Sequence, residues 1–299
     1  MINTLLNNDF AKITCITLPS ADSENTLDGI DIFHQHCQAQ VSVYGGQVLS
    51  YSPKGHRDVF WLSDSSQYQP GKAIRGGIPL CWPWFGINDK QAQGANSAKH
   101  GFARLMPWQV SCVDADEDNV TLVLTLSGEN DHPLWPNAYQ LVQTLVFGKS
   151  FKQTLAMSNI SAKDAHYCAA LHSYFKVSHP ENIVIDTLTG VNYDDKVENR
   201  ASIQQSPVSC VGEIDRVYHS SDNMMFVDSH WQRKIEIASD NCQHWVLWNP
   251  GGKLASAMAD IHSNGENEYV CLEAANSIWQ NLPAGETITI GQEINVSHL

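Results

Sequence analysis

The chain has 299 residues, 42% of them hydrophobic and 17% charged, enough apolar material for a substantial core, and this composition excludes an intrinsically disordered protein. Its formal net charge is −14, from 18 basic against 32 acidic residues, which argues against nucleic acid and anionic membrane surfaces as partners. The opening MINTLLNNDFAKITCITLPS has no basic n-region, and no window approaches the run of about 20 apolar residues that spans a bilayer. The eight cysteines form no CxxC pair, and without an export signal they are read as reduced, buried thiols of a cytoplasmic protein.

Period-2 alternation dominates the predicted elements. QVSVYGGQVLSY reads as two strands turning at Gly45 and Gly46, and DVFWL as a strand soon after. The stretch from Trp108 to Ser127 is predicted to be a hairpin: an acidic turn separates its halves, and Val120, Leu122, Leu124 and Leu126 share one face. YQLVQTLVFGKSFKQTLAMSNI is a second hairpin, turning at Gly148, Lys149 and Ser150. NIVIDTL, RKIEIAS, HWVLWN, EYVCLEAA and ETITIGQEINV complete the strand candidates. No segment carries a capped i, i+3, i+4, i+7 apolar stripe. The expectation is therefore an all-β sandwich or barrel. No linker, repeat or low-complexity tract divides it, so residues 1–299 are read as one domain.

One segment fits no regular element. IRGGIPLCWPWFG, residues 74–86, sets two glycines after Arg75 and two prolines among large aromatics, which predicts a rigid irregular loop. Trp82, Trp84 and Phe85 there either stack on a ligand or cork one end of the sandwich.

Thirteen histidines make a metal site worth weighing. His34 and His36, at i and i+2, fall on one face of a strand, yet no third ligand follows at a recognisable spacing, and two histidines on a solvated strand face is the favoured account. HExxH, G-x-S-x-G, GxGxxG and GxxxxGK[ST] are all absent, so metalloprotease, serine-hydrolase and nucleotide-binding readings lose support. No metal and no cofactor are expected.

Polar residues stand in four places where a plain β core would not want them. KHGFARLMPW holds Lys99, His100 and Arg104. AALHSYFKV puts His172 inside an apolar strand with Tyr174 on the same face. DRVYH sets Asp215 beside Arg216 in a loop. YVCLEAAN buries Glu273 between Cys271 and Ala275 on its own face. Taken singly, a strand histidine is more often a hydrogen-bonded core residue, and a lone glutamate serves a structural ion pair. A buried ionisable group is costly unless paired, however, and a desolvated glutamate titrates high. Together His172 and Glu273 offer an acid and a base near neutrality.

IRGGIPLCWPWFG, HGFAR, LHSYF, DRVY, WNPG and CLEAAN occur in this order between about residue 74 and residue 276. Together they resemble the glucose-6-phosphate 1-epimerase family, the hexose-6-phosphate mutarotase branch of the aldose 1-epimerase (galactose mutarotase-like) proteins. The resemblance covers most of the chain and implies a galactose mutarotase-like β-supersandwich with an open sugar site on a concave sheet. It implies His172 and Glu273 as the catalytic pair, Asp215 and His100 as sugar contacts, and Arg75 and Arg104 as the grip on a sugar phosphate. Lys99 stands where some relatives have glutamine, adding positive charge near the ligand, and Trp82 is a candidate sugar platform. The implied partner is a small-molecule sugar phosphate; nothing in the sequence sets the oligomeric state, and a monomer is compatible with it. The competing readings are a non-catalytic carbohydrate-binding protein, a mutarotase for neutral sugars, and an interaction module.

Overall fold

The computed structural model describes residues 4–19, 26–88 and 99–299, and these are organised as three antiparallel sheets. The first is a meander of β1 (Thr4–Asn7), β2 (Ala11–Leu18), β3 (Leu27–His34), β4 (Cys37–Ser42) and β5 (Gln47–Pro53), paired in that order. After β6 (Leu80–Cys81) come β7 (Gln109–Ala115), β8 (Val120–Gly128), β9 (Tyr139–Phe147), β10 (Phe151–Asn159), β11 (Ala165–Leu171) and β12 (Tyr174–Lys176). Then follow β13 (Ile183–Val184), β14 (Asn192–Asp195), β15 (Arg200–Ile203), β16 (Glu213–Tyr218), β17 (Met224–Asp228), β18 (Arg233–Asp240) and β19 (His244–Pro250). The short helix α1 (Gly251–Ala255) leads to β20 (Tyr269–Leu282) and β21 (Thr287–His298).

The second sheet runs β13-β17-β18-β21-β10-β9-β8-β7, and the third runs β15-β14-β16-β19-β20-β11-β6 with β12 also paired to β20. The alternation seen in the sequence is realised in β8, β9 and β10, where every second residue enters the core. In the third sheet β20 is buried at each of its first eight positions, because both of its faces are covered. Val270, Leu272 and Ala274 face the main core with Trp245 and Leu247 of β19. The residues between them, Cys271, Glu273 and Ala275, face the other way. That second face carries the site.

All the predicted hairpins form, but several local readings are corrected. DVFWL makes only isolated bridges at Phe60 and Leu62. NIVIDTL splits into β13 and a 3-10 turn at Asp186–Leu188. His34 ends β3 and is buried against the Asp116 carbonyl (3.1 Å), while His36 lies in the following turn. They are not a solvated strand pair. All eight cysteines are free thiols, but Cys112 is exposed and Cys15 partly so. Among the described residues no helix is long and apolar enough to cross a membrane.

The 74–86 segment shows why it needs its glycines. Gly76 and Gly77 both have positive φ, and a Cβ on them would overlap the backbone carbonyls of Trp61 and Val48. They serve the packing of chain on chain and not the approach of a ligand.

Candidate active site

An open cleft of about 900 Å³ lies on the outer face of the third sheet. Arg75, Lys99, His100, Arg104, His172, Asp215 and Glu273 all line it, gathered from segments nearly two hundred residues apart in sequence. Trp82 does not. It is fully buried against Trp135 (4.7 Å between ring centroids) and Tyr139 (4.8 Å), so its role is packing, not stacking on a ligand. Trp84 is buried as well; of the three loop aromatics only Phe85 reaches the cleft.

The site is assembled around β20. On one side Val246 of β19 pairs with Glu273; on the other, β11 pairs with Ala274 and β12 with Cys271. His172 and Ser173 occupy the break between β11 and β12, a correction to the continuous strand expected there. Ser173 keeps the ladder going by accepting from the Leu272 amide (3.2 Å), while the His172 amide donates to the Pro79 carbonyl (3.2 Å). The break puts the His172 ring beside Glu273, with Nε2 and Oε1 separated by 3.3 Å. Tyr174 then stacks on that ring, centroids 4.8 Å apart and planes at 9°.

Asp215 sits within β16, not in a loop. Its strand pairs with β19, and alternation turns Asp215 and Val217 to the cleft while Ile214 and Tyr218 enter the core. Arg216, on the opposite face from Asp215, pairs with Asp195 (2.9 Å) and lies over Tyr193, a structural cluster outside the cleft.

His100 has a left-handed backbone (φ 64°), unusual for a residue with a Cβ. It is clamped both ways to Gly86: its amide donates to the Gly86 carbonyl (2.8 Å), and its Nδ1 accepts from the Gly86 amide (3.2 Å). The accepting role of Nδ1 leaves the proton of the neutral ring on Nε2. Burial, reinforced by Arg104, His172, Lys99 and Arg75, holds His100 well below the ordinary imidazole range, so this neutral donor form persists at physiological pH.

Electrostatics in the pair run in opposite senses. Burial, then the charge of Asp215, pushes Glu273 well above the carboxylate range, against a smaller opposing pull from Arg104. Burial, then Arg104 and Arg75, pushes His172 well below the imidazole range. Both shifts favour the neutral pair over the ion pair, with the proton on the Glu273 side of the 3.3 Å contact.

Two arginines border the histidine. Arg104, in the 3-10 turn Ala103–Leu105, donates to the Lys99 carbonyl (2.8 Å), and its buried Nε has no hydrogen-bond partner among the described residues. Arg75 donates to the Tyr174 hydroxyl (2.8 Å) and pairs with Asp260. Burial opposes its charge, but Tyr174 and Asp260 outweigh that and raise its pKa above the ordinary value. Sequence reasoning gave Tyr174 no role and missed Trp248, Lys196 and Asp260. Trp248 was within reach, since it alternates with Val246 on β19 and stands in the WNPG motif; nothing local marks Asp260.

Comparison with known proteins places this geometry. A family profile described as aldose 1-epimerase matches residues 29–295. A Salmonella typhimurium protein named "Putative glucose-6-phosphate 1-epimerase" is 32% identical over 280 residues, covering 90% of this chain and 91% of that protein. An Escherichia coli protein of the same name is 32% identical over 264 residues, covering 85% of each. The crystal structure of a "putative mutarotase (YeaD)" from Salmonella typhimurium superposes with a TM-score of 0.87 at 26% identity, covering 100% of this chain and 97% of that one. With these matches the chain belongs to the aldose 1-epimerase family and is an isomerase of the mutarotase class.

Proposed function

We propose that the protein interconverts the α and β anomers of a hexose 6-phosphate, glucose 6-phosphate being favoured, by acid–base catalysis from Glu273 and His172 without a cofactor. The observation that carries this reading is the joined pair itself, Nε2 to Oε1 at 3.3 Å, on the cleft wall with Arg75 and Arg104 beside the histidine. The names of the relatives support the same substrate class.

Anomer exchange requires the C1 hydroxyl to lose a proton while the ring oxygen gains one. The C1–O5 bond then breaks, the carbonyl turns over, and closure occurs on the other face. Glu273 as carboxylate takes the hydroxyl proton and His172 as imidazolium protonates O5; on closure the roles reverse. Each such group contributes roughly 10²- to 10⁴-fold. The arrangement also suits phosphate at C6. O5 and C6 are both bonded to C5, so a group that grips the 6-phosphate belongs on the O5 side, and the arginines flank His172. A phosphate on Arg75 and Arg104 offsets the arginines' share of the depression of His172, to which burial contributes more. Binding thereby favours moving the shared proton from Glu273 to His172, the state the ring-opening step uses. Asp215, His100 and Lys99 take sugar hydroxyls or phosphate oxygens, and Asp215 keeps the site unfavourable to a second anion near Glu273.

We also read residues 1–299 as one mutarotase-like domain, since the family match runs from residue 29 to residue 295 and β21 pairs with β10 within the second sheet. The runner-up is a carbohydrate-binding protein on the same fold; binding alone gives no reason for a buried acid–base pair. Two-dimensional exchange NMR with glucose 6-phosphate and with glucose tests the reading. Exchange accelerated for the phosphate far more than for the neutral sugar is expected; no acceleration of either supports the runner-up.

A further inference from the structure

We infer that Asp260 is a positioning residue for phosphate selectivity: it grips one edge of the Arg75 guanidinium and so presents the remaining donors of that group to the 6-phosphate. The inference rests on the phosphate-site reading above. Asp260 Oδ2 accepts from both Arg75 Nε (3.0 Å) and NH2 (2.9 Å), and the Tyr174 hydroxyl accepts from NH1 (2.8 Å). A guanidinium carries five N–H donors in one rigid plane. Two anchors on different sides fix that plane, and among the described residues the donors left over are available to a ligand in the cleft that Arg75 lines.

Asp260 is not needed to fasten its own segment. Two residues on, His262 Nδ1 accepts from the Asp64 amide (3.1 Å), its amide donates to Ser63 Oγ (3.3 Å), and its Nε2 meets Glu268 (3.2 Å). Nor is it needed to hold the Arg75 backbone, which donates to Ser66 Oγ (2.7 Å) and accepts from the Ser63 amide (3.0 Å). One turn, residues 63–66, thus ties down the Arg75 main chain and His262, two residues beyond Asp260. What Asp260 adds is control of a long side chain at the cleft wall, where both groups keep some exposure (21% and 28% for Arg75 and Asp260). Without it the guanidinium loses two of its three contacts and regains rotamer freedom, so fewer productive phosphate contacts form per encounter.

The test measures kcat and KM for glucose 6-phosphate and for glucose in Asp260→Ala and Asp260→Asn, with thermal unfolding to confirm that each folds. For Asp260→Ala, KM for the phosphate rises about tenfold with kcat little changed, the loss expected when a charge-assisted contact is weakened. Asp260→Asn keeps an acceptor oxygen and lies between the alanine variant and the parent. Glucose is handled alike by all three. An unchanged or lower KM for the phosphate in Asp260→Ala, as expected if Asp260 only competes with phosphate for Arg75, overturns the inference. So does an equal loss for both sugars. A parent enzyme with no preference for the phosphate instead overturns the functional reading, and this inference with it.

Discussion

His172 and Glu273 meet at 3.3 Å inside an apolar wall, yet His172 Nδ1 and Glu273 Oε2 are buried with no hydrogen-bond partner among the described residues. Orphaned buried polar atoms cost stability, and here two of them fall on touching side chains. Each side chain makes one bond to the other and keeps one atom in reserve.

Replacing either member should remove most of the catalysed exchange. Glu273→Gln and His172→Asn are each expected to lower the rate by roughly 10²- to 10⁴-fold while calorimetry still detects glucose 6-phosphate binding. Normal exchange rates in both variants would sink the mechanism.

Glu273 also makes stability depend on pH. Its folded pKa lies above the ordinary 4.5, so as pH rises through the window from 4.5 to that raised value the unfolded chain ionises while the fold keeps its proton. Stability is full below the window and falls by about 1.4 kcal/mol per pH unit within it. Glu273→Gln should therefore have a higher Tm than the parent, with a gap that widens as pH rises above the ordinary 4.5. A gap that is constant or narrows contradicts the buried, protonated carboxyl.

Phosphate selectivity should reside in the arginines, because a chain of net charge −14 repels a sugar phosphate at long range. A charge-assisted hydrogen bond contributes about 1.5–3 kcal/mol, roughly 10- to 150-fold. Arg75→Ala and Arg104→Ala should lose that factor in catalytic efficiency for glucose 6-phosphate and little for glucose. Arg104→Ala should also move the acid limb of the free-enzyme pH profile upward, since burial still depresses His172 but the largest positive neighbour is gone. If the ratio of efficiencies for the two sugars holds in both variants, the arginines are structural.

Chelation should leave activity intact, because acid–base exchange at an anomeric centre calls for no Lewis acid. Among the described residues, donor atoms of His172, Cys271 and Glu273 lie within 4.8 Å of one another, the arrangement to watch. Exhaustive treatment with a chelator, followed by zinc or manganese, checks it. Activity lost and then restored by metal would make that trio a metal centre in place of an acid–base pair.

Trp82→Phe should lower stability by about 1–3 kcal/mol, as for a large core side chain made smaller, with KM for sugar phosphate unchanged. Urea unfolding and steady-state kinetics on one preparation separate the two. A raised KM with unchanged stability would return Trp82 to the ligand.

Much of this site is legible in local sequence. The alternation of YVCLEAAN places Glu273 with Cys271 and Ala275 on one face, and β20 carries them so. Where local reading failed, tertiary surroundings overrode it. Asp215 looked like a loop residue because charges are depleted from strands, but β16 has a cleft on one face and Asp195 waiting for Arg216 on the other. His172 looked like a strand residue because its neighbours are apolar; its ladder is broken by the way β11 and β12 share β20.

The amino-acid order by itself determined the predicted hairpins, their turns and the two faces of their strands, since these follow from a period of two and from turn residues acting over a few positions. It did not determine which buried face is core and which is cleft wall. Cys271, Glu273 and Ala275 are as buried as Val270, Leu272 and Ala274, and only the order of strands across the third sheet tells the two sets apart. The same holds for Arg75 and Asp260, 185 residues apart and joined through one oxygen atom. Contacts of that range are set by how sheets stack and segments cross, for which no neighbouring residue carries a mark.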